Sequence, residues 1–140
     1  MYENSTLDTL IDLALSEDLG EQGDITSKNF IPENRHSSGK IIVKEDCVIA
    51  GSEIAERVFN KFDPSIKIDV LLKSGSSAQC DTTVINLSGK TRSILSAERT
   101  ALNFIQRLSG ISTLTKKYVD AVNGTNAKIL DTRKHVPFAN

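Results

Sequence analysis

Three segments of the chain concentrate side chains able to hold charge or move protons. The first runs from Ser96 to Gly110 and contains Glu98-Arg99-Thr100-Ala101-Leu102-Asn103, then Gln106-Arg107. With Ser96 as N-cap, the pattern predicts a helix from Ser96 to about Leu108, with Arg99 at its third helical position. A cation there opposes the positive end of the helix dipole by roughly 0.3–1 kcal/mol. An anion bound at the helix N-terminus would relieve that conflict, because free N–H groups and a guanidinium then converge on it. Arg99, Asn103 and either Gln106 or Arg107 share a polar stripe, while Leu102, Ile105 and Leu108 face inward. Periodicity alone favours an ordinary solvated face for that stripe.

The second segment is Asp131-Thr132-Arg133-Lys134, which follows the strand-like run Ala127-Lys128-Ile129-Leu130. It places two cations at the C-terminal end of a strand, where α/β folds put their active sites. Arginine offers a planar fork matched to a carboxylate, and lysine a compact charge beside it. A basic strand end exposed to water accounts for the same residues, and the spacing leaves both readings open. The third segment is Glu17-Asp18-Leu19-Gly20-Glu21-Gln22-Gly23-Asp24-Ile25-Thr26. Paired carboxylates could serve acid–base chemistry or a metal. A helix stop at Gly20, a turn at Gly23-Asp24 and an Asp cap explain them without chemistry, and that structural reading is preferred. His36 and His135 have no partners at metal-ligand spacing. The sequence contains no Walker-type phosphate loop, no G-x-S-x-G and no Cys/His pair placed for nucleophilic catalysis.

The elements that must position these residues follow from periodicity. A helix is predicted over Thr6–Asp18, with Ser5 and Asp8 as a capping box, and a loop from Glu21 to Ser38. Lys40–Ile49 reads as strand broken by a hairpin turn at Lys44-Glu45-Asp46. A second helix opens at Gly51-Ser52 and stops at Asp63-Pro64. Strands are predicted at Lys67–Leu72, Thr82–Ser88 and Lys90–Leu95. The Ser96 helix and another over Thr113–Asn123, ended by Gly124, come next. The class is α+β: antiparallel strands with helices on one face, then a helix and strand in the rhythm of a βα unit.

The length of 140 residues suits one ordinary domain and the opening of a second. A net charge of -1 argues against a nucleic-acid partner, so any anionic ligand must be met by locally clustered Arg and Lys. No signal peptide and no bilayer-spanning run is read, which points to the cytoplasm and to no membrane partner. Cys47 and Cys80 fall in strand-like segments and are expected to be buried free thiols.

Together the three segments resemble the quinolinate phosphoribosyltransferase family (nicotinate-nucleotide pyrophosphorylase, carboxylating). The resemblance rests on Glu17-Asp18-x-Gly20-x-x-Gly23-Asp24-x-Thr26 and on Gly51. It continues through Glu98-Arg99-Thr100-Ala101-Leu102-Asn103, Leu108-Ser109-Gly110, Gly124-Thr125 and Leu130-Asp131-Thr132-Arg133-Lys134. It implies an N-terminal α/β sandwich over residues 1–111, then the first helix and strand of an incomplete α/β barrel over residues 112–140. The implied reaction joins quinolinate to phosphoribosyl pyrophosphate with Mg²⁺, releases pyrophosphate and carbon dioxide, and gives nicotinate mononucleotide for NAD biosynthesis.

By the same resemblance, Arg99, Arg133 and Lys134 bind quinolinate carboxylates, with Thr132 supporting. Arg99 reaches the neighbouring subunit's site, which implies a homodimer with shared sites. The family commonly continues Asp-Thr-Arg-Lys-Thr-x-Pro-Gly-Leu-Arg, whereas this chain reads Lys134-His135-Val136-Pro137-Phe138-Ala139-Asn140 and keeps only the proline. The Mg²⁺ ligands and further basic residues lie outside these residues, so the chain alone is expected not to turn over quinolinate. Two alternatives are a molybdenum-transport-associated paralogue of the same fold and a non-catalytic hammerhead-like dimerisation module, the latter suggested by Gly51 and the strands from Lys67 to Leu95. Against that module, Lys73 is followed by Ser74-Gly75 and not by Met, and the only Met is Met1.

Overall fold

Leu7, Ile11 and Leu15 recur at helical spacing and set helix α1 (Asn4–Leu19), whose Ile11 and Leu15 are buried. The structure, a computed structural model, describes residues 4–132. Ser5 lies inside the first turn of α1, where its carbonyl accepts the Thr9 hydroxyl at 2.9 Å, so it does not form the expected capping box. Gly20 closes the helix with φ +57° and an N–H bond to the Ser16 carbonyl at 2.9 Å. The stretch expected as loop then contains a short helix, α2 (Ile25–Phe30), capped by the Asp24 carboxylate on Ser27 N at 2.9 Å. Six residues carry too little periodicity to show as a helix in sequence.

Next come β1 (His36–Ile42), β2 (Cys47–Val48), α3 (Ser52–Phe62), β3 (Lys67–Val70), β4 (Ser77–Ala78), β5 (Thr83–Lys90) and α4 (Thr91–Ala121). Strands β1, β5 and β3 form an antiparallel sheet with β5 in the centre, while β2 and β4 form a separate ribbon. The expected hairpin between Lys40 and Ile49 is therefore not made. After an irregularity between Ile41 and Ile42, the chain leaves β5 and carries Lys44-Glu45-Asp46 across to the ribbon. Strand β5 supplies Val84, Ile85 and Leu87 to the core, opposite Ile11 of α1, Val58 and Phe59 of α3, and Ala97, Ala101 and Ile105 of α4. Antiparallel strands carrying helices on one face match the α+β class.

Helix α4 departs furthest from the sequence expectation. It is one 31-residue helix, not a strand at Lys90–Leu95 followed by two helices. Ile94, Ala97, Ala101 and Ile105 recur on its buried face, and that period outweighs the short alternation before Ser96. It also runs through Ser109-Gly110, although an interior glycine costs about 1 kcal/mol relative to alanine. Two hydroxyls pin that stretch to the body. Ser109 Oγ accepts Ala50 N at 3.0 Å, and Thr113 Oγ1 accepts Val48 N at 2.9 Å. The expected domain junction at Ser112 thus lies within an unbroken helix.

Residues 127–131, expected as a strand, join no ladder among the described residues, and Ile129 and Leu130 are exposed. A parallel strand exists only with a partner for its backbone hydrogen bonds, and no described segment supplies one. Cys47 is half-buried in β2, but Cys80 lies exposed in a turn with its thiol donating to the Lys44 carbonyl at 3.2 Å. The expectation of two buried thiols therefore fails for Cys80, which follows a strand of only two residues.

Candidate functional site

Helix α4 begins at Thr91, so Arg99 sits in its third turn and not at an N-terminus. Arg99 therefore does not face the positive end of the helix dipole. Ser96, expected as N-cap, lies inside the helix and donates to Asp24 Oδ2 at 3.1 Å. Tertiary contact with the end of α1 is what organises Arg99. Its Nη1 lies 3.3 Å from Asp18 Oδ1, and the Thr100 hydroxyl lies 3.3 Å from Asp18 Oδ2. The Asp18 side chain is 17% exposed and that of Arg99 is 76% exposed.

Asp18 stands in the last turn of α1, where a carboxylate faces the negative end of the helix dipole at a cost of about 0.3–1 kcal/mol. The guanidinium and the hydroxyl offset that cost. Beside this pair opens a cleft of about 640 Å³, walled by Ala14, Glu17 and Asp18 of α1 and by Arg99, Asn103, Phe104 and Arg107 of α4. Arg99, Asn103 and Arg107 recur at four-residue intervals, so one helix face carries all three. Gln106 lines a different cleft of about 410 Å³, walled by Ile41, Val43, Val84, Leu102 and Ile105. Of the two candidates for the stripe, Arg107 shares it with Arg99.

The Gly20 and Gly23 turn and the Asp24 cap take the structural roles read for them. Gly20 and Gly23 both have positive φ. The Ser27 hydroxyl, followed by its backbone N–H, holds the Asp24 carboxyl below its ordinary range. Asp18 in the same segment instead joins the arginine of the first segment. That role escaped the sequence reading, because nothing local reports which residue 81 positions away an aspartate will meet. The one available signal was an acid placed at the wrong end of a helix.

Thr132 is exposed and is not among the residues walling the cleft. Arg133 and Lys134 lie outside the described residues. Among the described residues, no three His, Cys, Asp or Glu side chains converge as metal ligands. No helix among them is long and apolar enough to cross a membrane. Lys73-Ser74-Gly75, already unlike a carrier hairpin in sequence, forms a turn locked to α3. The Ser74 hydroxyl accepts Gly51 N at 2.9 Å and donates to Glu53 Oε2 at 2.6 Å.

Residues 24–109, which include Arg99, Thr100, Asn103 and Arg107, match the quinolinate phosphoribosyl transferase N-terminal domain. The chain belongs to the quinolinate phosphoribosyltransferase family. It is 44% identical over 128 residues to quinolinate phosphoribosyltransferase [decarboxylating] 1b of Nicotiana tabacum, covering 91% of this chain and 36% of that protein. It is 40% identical over 131 residues to the chloroplastic nicotinate-nucleotide pyrophosphorylase [carboxylating] of Oryza sativa subsp. japonica, covering 94% of this chain and 35% of the relative.

Among solved structures, the nicotinate-nucleotide pyrophosphorylase of Francisella tularensis superposes with a TM-score of 0.90 at 36% identity, covering 98% of this chain and 49% of that one. The chain therefore spans about a third of the length of these curated quinolinate phosphoribosyltransferases and about half of the solved one.

Proposed function

We propose that this chain supplies the N-terminal part of an enzyme that transfers a phosphoribosyl group to quinolinate and decarboxylates the product to nicotinate mononucleotide. The observation that carries the reading is Arg99, held by Asp18 at the rim of a cleft with Asn103 and Arg107 on the same helix face. Quinolinate presents two adjacent carboxylates, which require several fixed cations. Only one guanidinium nitrogen of Arg99 contacts Asp18, so its other N–H groups remain to meet a carboxylate. In this reading Arg133, Lys134 and Thr132 complete the carboxylate site, with Arg99 delivered across the interface of a homodimer. Residues 1–111 are the sandwich and residues 112–140 the entry to a barrel, joined by continuous helix α4. The compartment proposed is the cytoplasm.

The chemistry asks the protein to orient and neutralise, not to supply a nucleophile. The quinolinate ring nitrogen bonds to the ribose anomeric carbon as pyrophosphate departs. The quaternised nitrogen then stabilises the electron pair left when the adjacent carboxylate leaves as carbon dioxide, and that carbon takes a proton. Mg²⁺ bound with phosphoribosyl pyrophosphate would neutralise the departing group. The described residues do not fit it. Glu17 and Asp18 are the carboxylates at the cleft, and Asp18 is engaged by Arg99 and Thr100. In this reading the 140 residues by themselves are expected to form no product.

A chimera tests the reading. These residues replace the matched half of the Francisella relative, and quinolinate-dependent formation of nicotinate mononucleotide is measured. Activity in the chimera, its reduction but not abolition with Arg99→Ala, and none from the 140 residues alone are expected. A folded chimera that does not bind quinolinate would refute it and favour the molybdenum-transport-associated paralogue. Product formed by the isolated chain would overturn its dependence on residues matching the relative's other half.

A further inference from the structure

We propose that Asp18 is a positioning residue for Arg99, holding its guanidinium at the boundary between two clefts that both residues wall. The inference rests on Arg99 binding quinolinate, as proposed above. Asp18 and Arg99 both wall the 640 Å³ cleft that runs toward Asn103 and Arg107. They also both wall a second cleft of about 320 Å³ that runs toward Gly23, Asp24 and Ser96. The pair is thus the partition between them. An arginine side chain that is 76% exposed has many rotamers of similar energy, and a mobile cation binds weakly because ordering it opposes association.

Asp18 itself is well anchored. It is 17% exposed, and Thr100, which is buried, binds its second oxygen at 3.3 Å. One oxygen therefore fixes the carboxylate to the body of α4 while the other holds the guanidinium. The Ser96 hydroxyl, which could draw Arg99's neighbourhood toward the smaller cleft, is itself occupied by Asp24. Glu17 stands beside Asp18 on the larger cleft without a hydrogen bond to Arg99, so the neighbouring acid does not duplicate the role.

Two measurements test this. In the active chimera, Asp18→Asn keeps the side-chain volume but removes the charge. The expected result is a rise of about tenfold in KM for quinolinate, with kcat and the KM for phosphoribosyl pyrophosphate within about twofold of the parent. In an Arg99→Ala background, Asp18→Asn should add nothing further. Equal KM values for parent and Asp18→Asn, or losses from the two substitutions that multiply, would overturn the proposal.

The second measurement is ¹⁵N relaxation at Arg99 Nε in the 140-residue chain, which needs no catalysis. Restricted motion in the parent, released by Asp18→Asn, supports the assignment. An Arg99 Nε as mobile in the parent as that of Arg107 overturns it. An inactive parent chimera counts against the function instead, and the relaxation result then decides the positioning alone.

Discussion

Ser109 on helix α4 binds both backbone polar atoms of Ala50: its hydroxyl accepts Ala50 N at 3.0 Å and donates to Ala50 O at 3.2 Å. Ala50 immediately precedes Gly51, the N-cap of α3, so one hydroxyl ties the start of α3 to the middle of α4. Ser109→Ala leaves the part-buried N–H and carbonyl of Ala50 without this partner. The expected loss is about 1–3 kcal/mol of unfolding free energy, read by chemical denaturation. Thr115→Ala, which removes only an exposed hydroxyl bonded within the same helix, should change stability by less than about 0.5 kcal/mol. Equal effects from the two substitutions would show that the Ser109 bridge contributes nothing.

Gly51 should tolerate no side chain. Its φ is +87°, and an added Cβ would lie 2.8 Å from Leu108 Cδ1 and 3.5 Å from Ile105 Cα. Leu108 can yield, but the backbone conformation cannot. Gly51→Ala should cost about 1–3 kcal/mol through left-handed strain, with displacement of Leu108 adding to it. Gly20 has φ +57° and nothing within 4 Å of an added Cβ, so Gly20→Ala should carry the backbone strain alone and cost less. Thermal melts of the two variants compare them directly, and a Gly20→Ala loss as large as that of Gly51→Ala would remove the role given to the α3–α4 approach.

Asp63 predicts acid sensitivity. Hydrogen bonds from the Ser65 hydroxyl, then from Ser93 and the Ser65 backbone, lower its pKa from 3.8 to about 2. Folded protein therefore takes up this proton less readily than the unfolded chain. Stability from this group is complete above about pH 4 and is lost as pH falls through 3.8 toward about 2. Asp8, held low first by its hydrogen bond from Arg57, adds a loss of the same sign. Asp63→Asn should flatten the fall of stability between about pH 4 and pH 2. An unchanged slope in acid-denaturation curves would count against it.

The two thiols should differ in the native state. Cys80 is exposed, whereas burial, with Glu45 and Asp46 nearby, pushes the Cys47 thiol up from its ordinary pKa. Alkylation follows thiolate fraction and access, so iodoacetamide should label Cys80 well before Cys47 at neutral pH. Peptide mass mapping over time reads the order, and simultaneous labelling would contradict it.

The local sequence determined those features whose cause lies within a few residues. Ile11 and Leu15 at helical spacing set α1. Gly51 with Ile54, Val58 and Phe59 set α3. Asp24 after Gly23 set a cap, because a carboxylate three residues ahead of an N–H needs nothing remote. The three motif segments in combination were also enough to place the chain in its family, since residue type and order carry descent directly.

Pairings across long stretches of chain were decided only by the tertiary structure. Strand β1 chose β5 over its neighbour β2, because the central position of β5 gives ladder partners on both edges. Helix α4 absorbed Thr91–Leu95 and continued past Gly110, because its buried alanines and the Ser109 and Thr113 hydroxyls found partners on other elements. Asp18 met Arg99 for the same kind of reason. The ends of α1 and the third turn of α4 are brought together by a shared core, and no local spacing encodes a contact that only that core creates.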